Sequence, residues 1–181
     1  MPLSHLHDLD DDLLRRAARV RLACFDVDGT LTDGRIYLDS EGREIKAFNI
    51  LDGQGLVLLR RHGIRVVLIT ARSGRAAELR AQELDVAIQS GVKDKRTAVG
   101  RLCAEMGIGL DEVSFMGDDL ADLEAFKAVG LAVAPANAHA WTARHAHWHT
   151  RARGGEGAAR ELCDLLLGAH GHLPAILGDP A

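Results

Sequence analysis

Residues 21–32 read Arg-Leu-Ala-Cys-Phe-Asp-Val-Asp-Gly-Thr-Leu-Thr. The apolar run Arg21–Val27 stops at charge and an Asp-Gly pair, which is the pattern of a short strand buried on both faces, as strands of a parallel sheet are. Similar short runs follow at Arg65–Thr70, Asp85–Ile88, Glu112–Met116 and Leu131–Ala134, with helical patterns between them at Gly53–His62, Gly74–Glu83, Lys95–Met106 and Asp119–Ala128. Strand and helix alternating in this way build βαβ units, so the predicted class is α/β: a Rossmann-like, mostly parallel sheet flanked by helices. One interruption breaks the alternation. Arg35–Leu38 and Glu44–Phe48 flank Asp39-Ser40-Glu41-Gly42, which predicts a small β-hairpin over residues 34–48. It hangs just past the C-terminal end of the first strand, where ligands bind in open α/β sheets. Ahead of the sheet, Leu9, Leu13, Ala17 and Val20 recur at near-helical spacing with acids first and arginines later, predicting a packing helix. The expected organisation is a helical extension over residues 1–20, a single α/β domain over 21–170 and a tail over 171–181.

Composition narrows the function classes. The 181 residues suit one domain, and 47% hydrophobic residues suffice for a sizeable core built from aliphatic side chains, since aromatics are only 4%. A balance of 22 basic against 26 acidic residues argues against a protein that coats nucleic acid. No apolar run reaches membrane-spanning length, and the polar, acidic start from Met1 to Asp12 is unlike a signal peptide. Cys24, Cys103 and Cys163 form no CxxC pair and lie in apolar or helical contexts, so buried free thiols in a reducing compartment are expected.

Asp26 and Asp28 stand two residues apart, so on a continuing strand their carboxylates point the same way. Like charges there repel, and burial raises the cost. A divalent cation between them removes it, and Mg²⁺ takes carboxylate oxygens together with water and phosphate. A solvated Asp-Gly turn is the competing explanation. Later segments weigh against it. Thr70 leads through Ala71, Arg72 and Ser73 into a helix, offering a hydroxyl and free backbone N–H groups to an anion, although such residues also serve as ordinary caps. Lys93-Asp94-Lys95 opens the next helix, where lysine is unfavourable beside the positive dipole end unless a function compensates; solvated lysines are the alternative. Gly117-Asp118-Asp119-Leu120-Ala121-Asp122 opens another, and capping accounts for one or two of its acids more easily than for all three. The set fits phosphoryl transfer to a carboxylate, which needs an attacking oxygen, a cation and fixed positive charge on the phosphoryl oxygens.

In that order DVDGTLT, ITAR, KDK and GDDLADL resemble the four motifs of the haloacid dehalogenase superfamily of phosphatases, spanning Asp26 to Asp122. The resemblance implies that Asp26 is the nucleophile forming an aspartyl-phosphate. Asp28 would act as general acid and then base, with its backbone carbonyl on the metal. Thr70, with Ala71 beside it, would bind phosphoryl oxygens, and Lys95 would neutralise the charge on them. Asp118 would be the second carboxylate on Mg²⁺, Asp119 would support the metal shell, and Asp122 would orient Lys95. Lys93 competes for the lysine role but does not align with the family's lysine. Many members insert a lid after the first motif or between the second and third, and neither interval here has room for a cap domain. Shielding an acyl phosphate from water then calls for a neighbouring subunit, so an oligomer with sites at its interfaces is expected.

The hairpin, the segment KAFNILDGQG and the late GGEGAARE (Gly154 to Glu161) resemble the capless, tetrameric 3-deoxy-D-manno-octulosonate 8-phosphate phosphatases over roughly residues 20–170. This implies a homotetramer in which hairpins pack together, a cytoplasmic location in a Gram-negative cell, a small sugar acid phosphate as substrate, and a role in building the lipopolysaccharide core. Leu51 and Glu156 depart from the basic residues that family commonly carries there. Arg72, Arg75, Lys46 and Arg160 remain as candidates for the sugar carboxylate. The alternatives are a phosphatase for a nine-carbon sialic-acid-type sugar, a phosphomutase, and a non-catalytic assembly domain like those fused to sugar-nucleotide synthetases. Retention of Asp26, Asp28, Lys95 and Asp118 speaks against the last. His139, His145, His147 and His149 lack an interleaved Cys or carboxylate, which favours an edge strand over a metal site. Trp141 and Trp148 are expected to anchor packing, and Gly53-Gln54-Gly55 is too short for a dinucleotide fingerprint.

Overall fold

In the computed structural model, which describes residues 9–178, Leu22–Phe25 forms β1, buried at every position. It pairs in parallel with β4 (Arg65–Ile69) on one side and β6 (Val113–Met116) on the other. With β5 (Ala87–Gln89), β7 (Leu131–Ala134) and β8 (Trp148–His149) the order is β5-β4-β1-β6-β7-β8, every pair parallel. The hairpin strands β2 (Tyr37–Leu38) and β3 (Glu44–Ile45) pair antiparallel apart from this sheet. The chain moves outward from β1 to β4 and β5, then returns to the other side of β1 as β6. That reversal opens a crevice at the C-terminal ends of β1, β4 and β6. The expectations placed on residues 1–8 and 179–181, at the acidic start and the end of the tail, lie outside the described residues.

Two apolar layers hold the sheet. Ala23 and Phe25 face one of them with Leu56, Leu59, Leu162 and Leu166, which come from α2 (Ile50–Arg61) and α7 (Ala158–Ala169). Leu22 and Cys24 face the other with Val99 and Leu102 of α4 (Lys95–Met106) and Phe126 of α5 (Leu123–Phe126). Because successive side chains of a strand point to opposite faces, a strand covered on both sides carries an unbroken apolar run. The predicted packing helix is α1 (Asp11–Ala18), capped by Asp10 and burying Leu13 and Ala17. Gly55 lies where α2 crosses α7: a Cβ there would come 2.9 Å from that of Cys163, so this glycine serves close helix approach. All three cysteines are buried and free.

The structure departs from the expected elements in three places. The helix expected over Asp119–Ala128 is a 3-10 turn, Leu120–Asp122, followed by the short α5. The Asp122 carboxylate accepts the N–H groups of Asp118 and Asp119, and Asp119 accepts that of Leu120, so side chains take donors a regular helix would leave at its start. α2 begins ahead of the expected Gly53, because Asn49 caps it by accepting the Leu51 N–H. Of the two tryptophans Trp148 packs on the core, whereas Trp141, on α6 (Ala140–Ala143), is exposed. His147 meets the edge-strand expectation, its Nδ1 accepting the Ala132 N–H beside β8.

Candidate active site

Asp26 follows β1 directly, and its N–H donates to the Met116 carbonyl at 2.8 Å, which brings the ends of β1 and β6 level. The Lys95 ammonium, from the first turn of α4, donates to Asp26 Oδ1 at 2.6 Å and to Asp122 Oδ1 at 2.5 Å. All three side chains are almost wholly buried. Burial opposes the charge on Lys95, but the two carboxylates outweigh it and hold the ammonium above its ordinary value. Asp26 moves the other way, since burial and then the charge of Asp122 push it up more strongly than Lys95 pulls it down. Asp118 is pushed up to about 7, chiefly by burial and then by Asp122 and Asp119.

Oxygens of Asp26, Asp118 and Asp122 lie within 4.8 Å of one another, the one such group of metal-ligating type among the described residues. Three carboxylates against one ammonium leave two negative charges uncompensated in a largely dry site. Hard oxygen donors in that state suit a dication of the Mg²⁺ type. The glycine of the Asp-Gly pair is required here: Gly29 has φ +86°, and a Cβ on it would overlap the Asp118 carboxylate. Thr30 Oγ1 donates to Asp118 Oδ1 at 3.5 Å from the same turn.

On the opposite wall, Thr70 Oγ1 donates to Asp28 Oδ2 at 3.2 Å, and the Lys46 ammonium donates to Asp28 Oδ1. Lys46 comes from the chain just past β3, its side chain buried, and also bonds Glu44 at 3.1 Å. Glu44 in turn accepts from Arg72 at 2.9 Å. This run of charges stitches the hairpin to the end of β4. The cleft between the two walls encloses about 280 Å³ and is lined by Asp26, Asp28, Thr70, Ala71, Arg72, Lys95, Asp118, Asp119 and Asp122. A wider hollow of about 550 Å³, carrying Lys93 and Arg96, shares Lys95 and Ala121 with it.

The structure thus gathers at one cleft nearly every residue singled out from the sequence. Arg160 is one exception. It lies on α7, its Nε donates to Asp164 at 2.7 Å, and its stem packs beside Gly55, so within one subunit it does not reach the cleft. Arg75 pairs with Glu78 on the first turn of α3 (Arg75–Leu84) and is likewise absent from the lining. Asp119 stands on the rim, its carboxylate capping the turn that follows. Thr30, Glu44 and Asn137 were not singled out. For Glu44 a signal existed, because it lies two residues before Lys46 and shares its strand face. Beside the cleft the hairpin and the start of α2 expose Ile36, Leu38, Ile45, Ile50 and Leu51, each more than half exposed.

Residues 86–162 match the family model for haloacid dehalogenase-like hydrolases. The 3-deoxy-D-manno-octulosonate 8-phosphate phosphatase KdsC of Yersinia pestis is 42% identical over 169 residues, 93% of this chain and 90% of that protein. Among solved structures, a hypothetical protein from Xanthomonas campestris superposes with a TM-score of 0.96 at 63% identity, covering 98% of both chains. A 3-deoxy-D-manno-octulosonate 8-phosphate phosphatase from Moraxella catarrhalis, solved with magnesium, phosphate and KDO, superposes with a TM-score of 0.91 at 37% identity, covering 94% of this chain and 98% of that one.

Proposed function

The chain belongs to the 3-deoxy-D-manno-octulosonate 8-phosphate phosphatase family of haloacid dehalogenase-like hydrolases, and from that membership we propose that it hydrolyses this sugar acid phosphate to the free sugar acid and phosphate. The observation that carries the chemistry is the buried Asp26–Lys95–Asp122 arrangement beside Asp118, at the mouth of a cleft whose far wall carries Asp28 and Thr70.

In the proposed reaction an Asp26 oxygen attacks phosphorus and the bond to the sugar oxygen breaks, with Asp28 passing its proton to the departing alcohol. Water then attacks the phosphorus of the aspartyl-phosphate while Asp28 takes the water's proton, restoring Asp26 and releasing phosphate. Lys95 holds Asp26 in place and offers positive charge to the transferring group. Thr70 Oγ1 and the N–H groups that follow it receive the remaining phosphoryl oxygens, and Asp122 keeps Lys95 aimed. Both Asp122 oxygens are already engaged, by Lys95 and by the 118–119 backbone, which leaves Asp26 and Asp118 to hold Mg²⁺ directly. Held there, Mg²⁺ would supply Lewis-acid positive charge to the transferring phosphoryl group.

Arg72 on the cleft lining, with Lys46 buried behind it against Asp28 and Glu44, supplies the positive charge offered to the sugar carboxylate. The exposed apolar hairpin is offered to neighbouring subunits, giving a homotetramer in which a partner covers each site and supplies the shielding that the chain lacks as a cap. Among the described residues no helix is long and apolar enough to cross a membrane. We place the enzyme in the cytoplasm, in the route to the lipopolysaccharide core.

The test is phosphate release from a panel of sugar acid phosphates, eight- and nine-carbon, with Mg²⁺ and with EDTA, against Asp26→Asn. Turnover of the eight-carbon substrate that EDTA and Asp26→Asn both abolish is expected. Preference for the nine-carbon acid would move the substrate, and full activity in Asp26→Asn would remove the nucleophile.

A further inference from the structure

Asn137 sits half-buried between the end of β7 and α6, behind the wall of the cleft, and its side chain joins two separate loops. Its Oδ1 accepts the Gly154 N–H at 2.6 Å, and its Nδ2 donates to the Gly29 carbonyl at 3.4 Å. The two loops are laid tightly together at that point. A Cβ on Gly154 would overlap the Gly29 carbonyl oxygen, and the Gly155 N–H donates to the Thr30 carbonyl at 3.1 Å. Gly29 and Thr30 are the residues that press on the Asp118 carboxylate from the other side, one by its bare Cα and one by its hydroxyl. Two residues beyond Asn137, the His139 N–H donates to the Asp118 carbonyl at 2.8 Å. Asn137 is therefore placed to brace the 29–32 turn against the 152–155 loop and, through that turn, to fix the orientation of Asp118.

We propose that Asn137 is a positioning residue for the cation held by Asp26 and Asp118, acting through the backbones of Gly29 and Gly154 without touching cation or substrate. The inference rests on the Mg²⁺-dependent phosphatase reading. Groups that hold a metal ligand in place matter to affinity nearly as much as the ligand does, commonly by about 10–100-fold. The brace needs both bonds, one to each loop. Asn137→Ala removes both, and Asn137→Asp keeps the Gly154 acceptor but turns an oxygen toward the Gly29 carbonyl, which breaks the link to the 29–32 turn.

The experiment is calorimetric titration of Mg²⁺ into the substrate-free protein, paired with steady-state kinetics on the sugar acid phosphate. The expected result for Asn137→Ala is an Mg²⁺ Kd raised about tenfold or more, a comparable fall in kcat and little change in KM. Asn137→Asp, which retains only the Gly154 bond, should also raise the Mg²⁺ Kd by about tenfold; a parent-like Kd in that variant would overturn the role given to Gly29. Leu13→Ala, in the α1 contact with the core far from the cleft, is the control for general destabilisation, lowering Tm without moving the Mg²⁺ Kd. Parent-like Mg²⁺ affinity in Asn137→Ala overturns the proposal, as does the same weakening in Leu13→Ala. A parent protein that binds Mg²⁺ but releases no phosphate would instead fault the phosphatase reading and leave the brace to be judged on the Kd alone.

Discussion

Replacing Lys95 with methionine nearly conserves its volume while removing the ammonium that Asp26 and Asp122 share. Both carboxylates are then left buried, facing each other without a counter-charge, with side-chain exposures of 8% and 1%. Breaking a buried ion pair by removing one partner costs about 3–5 kcal/mol, because the remaining charge stays desolvated. For a chain of this size each kcal/mol moves Tm by about 2–4 °C, so a fall of about 6–20 °C is expected at pH 10, where both carboxylates are charged. Acidification should shrink the deficit. Burial raises Asp26 above the value it has in the unfolded chain, so the folded state holds its proton more tightly. Stability linked to that group is fully present below the unfolded pKa of 3.8 and is lost as pH rises through the folded one, near 8. Without Lys95 the folded value climbs above 8, so protonation relieves the repulsion as pH falls from 10 toward 8, and below that the deficit levels off. The assay is thermal unfolding in EDTA from pH 10 to pH 7, so that no dication substitutes for the ammonium. A loss below about 1 kcal/mol at pH 10, within the range of a solvated surface pair, would refute the reasoning. So would a deficit that grows as pH falls from 10 to 8.

Three further outcomes follow from the same geometry. Asp26 and Asp118, held up to about 8 and about 7, must both lose their protons to bind a cation, so the Mg²⁺ Kd should worsen by about tenfold per pH unit between those values, more steeply below them, and flatten above about 8, as read by calorimetry. Leu38→Asp places a charge in the exposed apolar hairpin and should lower the mass measured by light scattering; an unchanged mass would place the subunit contacts elsewhere. Asp52, buried on α2, accepts the N–H groups of Gly157 and Arg160 at the start of α7, so Asp52→Ala should cost about 1–2 kcal/mol in urea unfolding while Asn in its place recovers part of the loss.

The fold was legible because the central strands are covered on both faces. Residues 66–69 and Leu131–Ala134 must be continuously apolar to sit between helix layers, so they stand out without any partner being known. The site was legible for a related reason: phosphoryl transfer needs carboxylates, a hydroxyl and a lysine at strand ends, and few other pressures cluster them there. The helix expected from Asp119 onward failed because Asp119 and Asp122 turn their oxygens onto nearby N–H groups, a competition that periodicity does not register. Arg160 lies away from the cleft of its own subunit because a charged side chain within one turn of Asp164 has a local partner, and composition cannot say which of two partners it takes.

Local sequence therefore determined which residues end the strands and what chemistry they carry, since both follow from burial and functional-group type within a few positions. Distances between those ends belong to the tertiary structure. The register of β1 against β6, the shared hold of Lys95 on Asp26 and Asp122, and the contact of Asn137 with both Gly29 and Gly154 join segments far apart in the chain. Only packing of the whole sheet brings such segments within hydrogen-bond reach, and no pattern confined to one of them encodes where the other will lie.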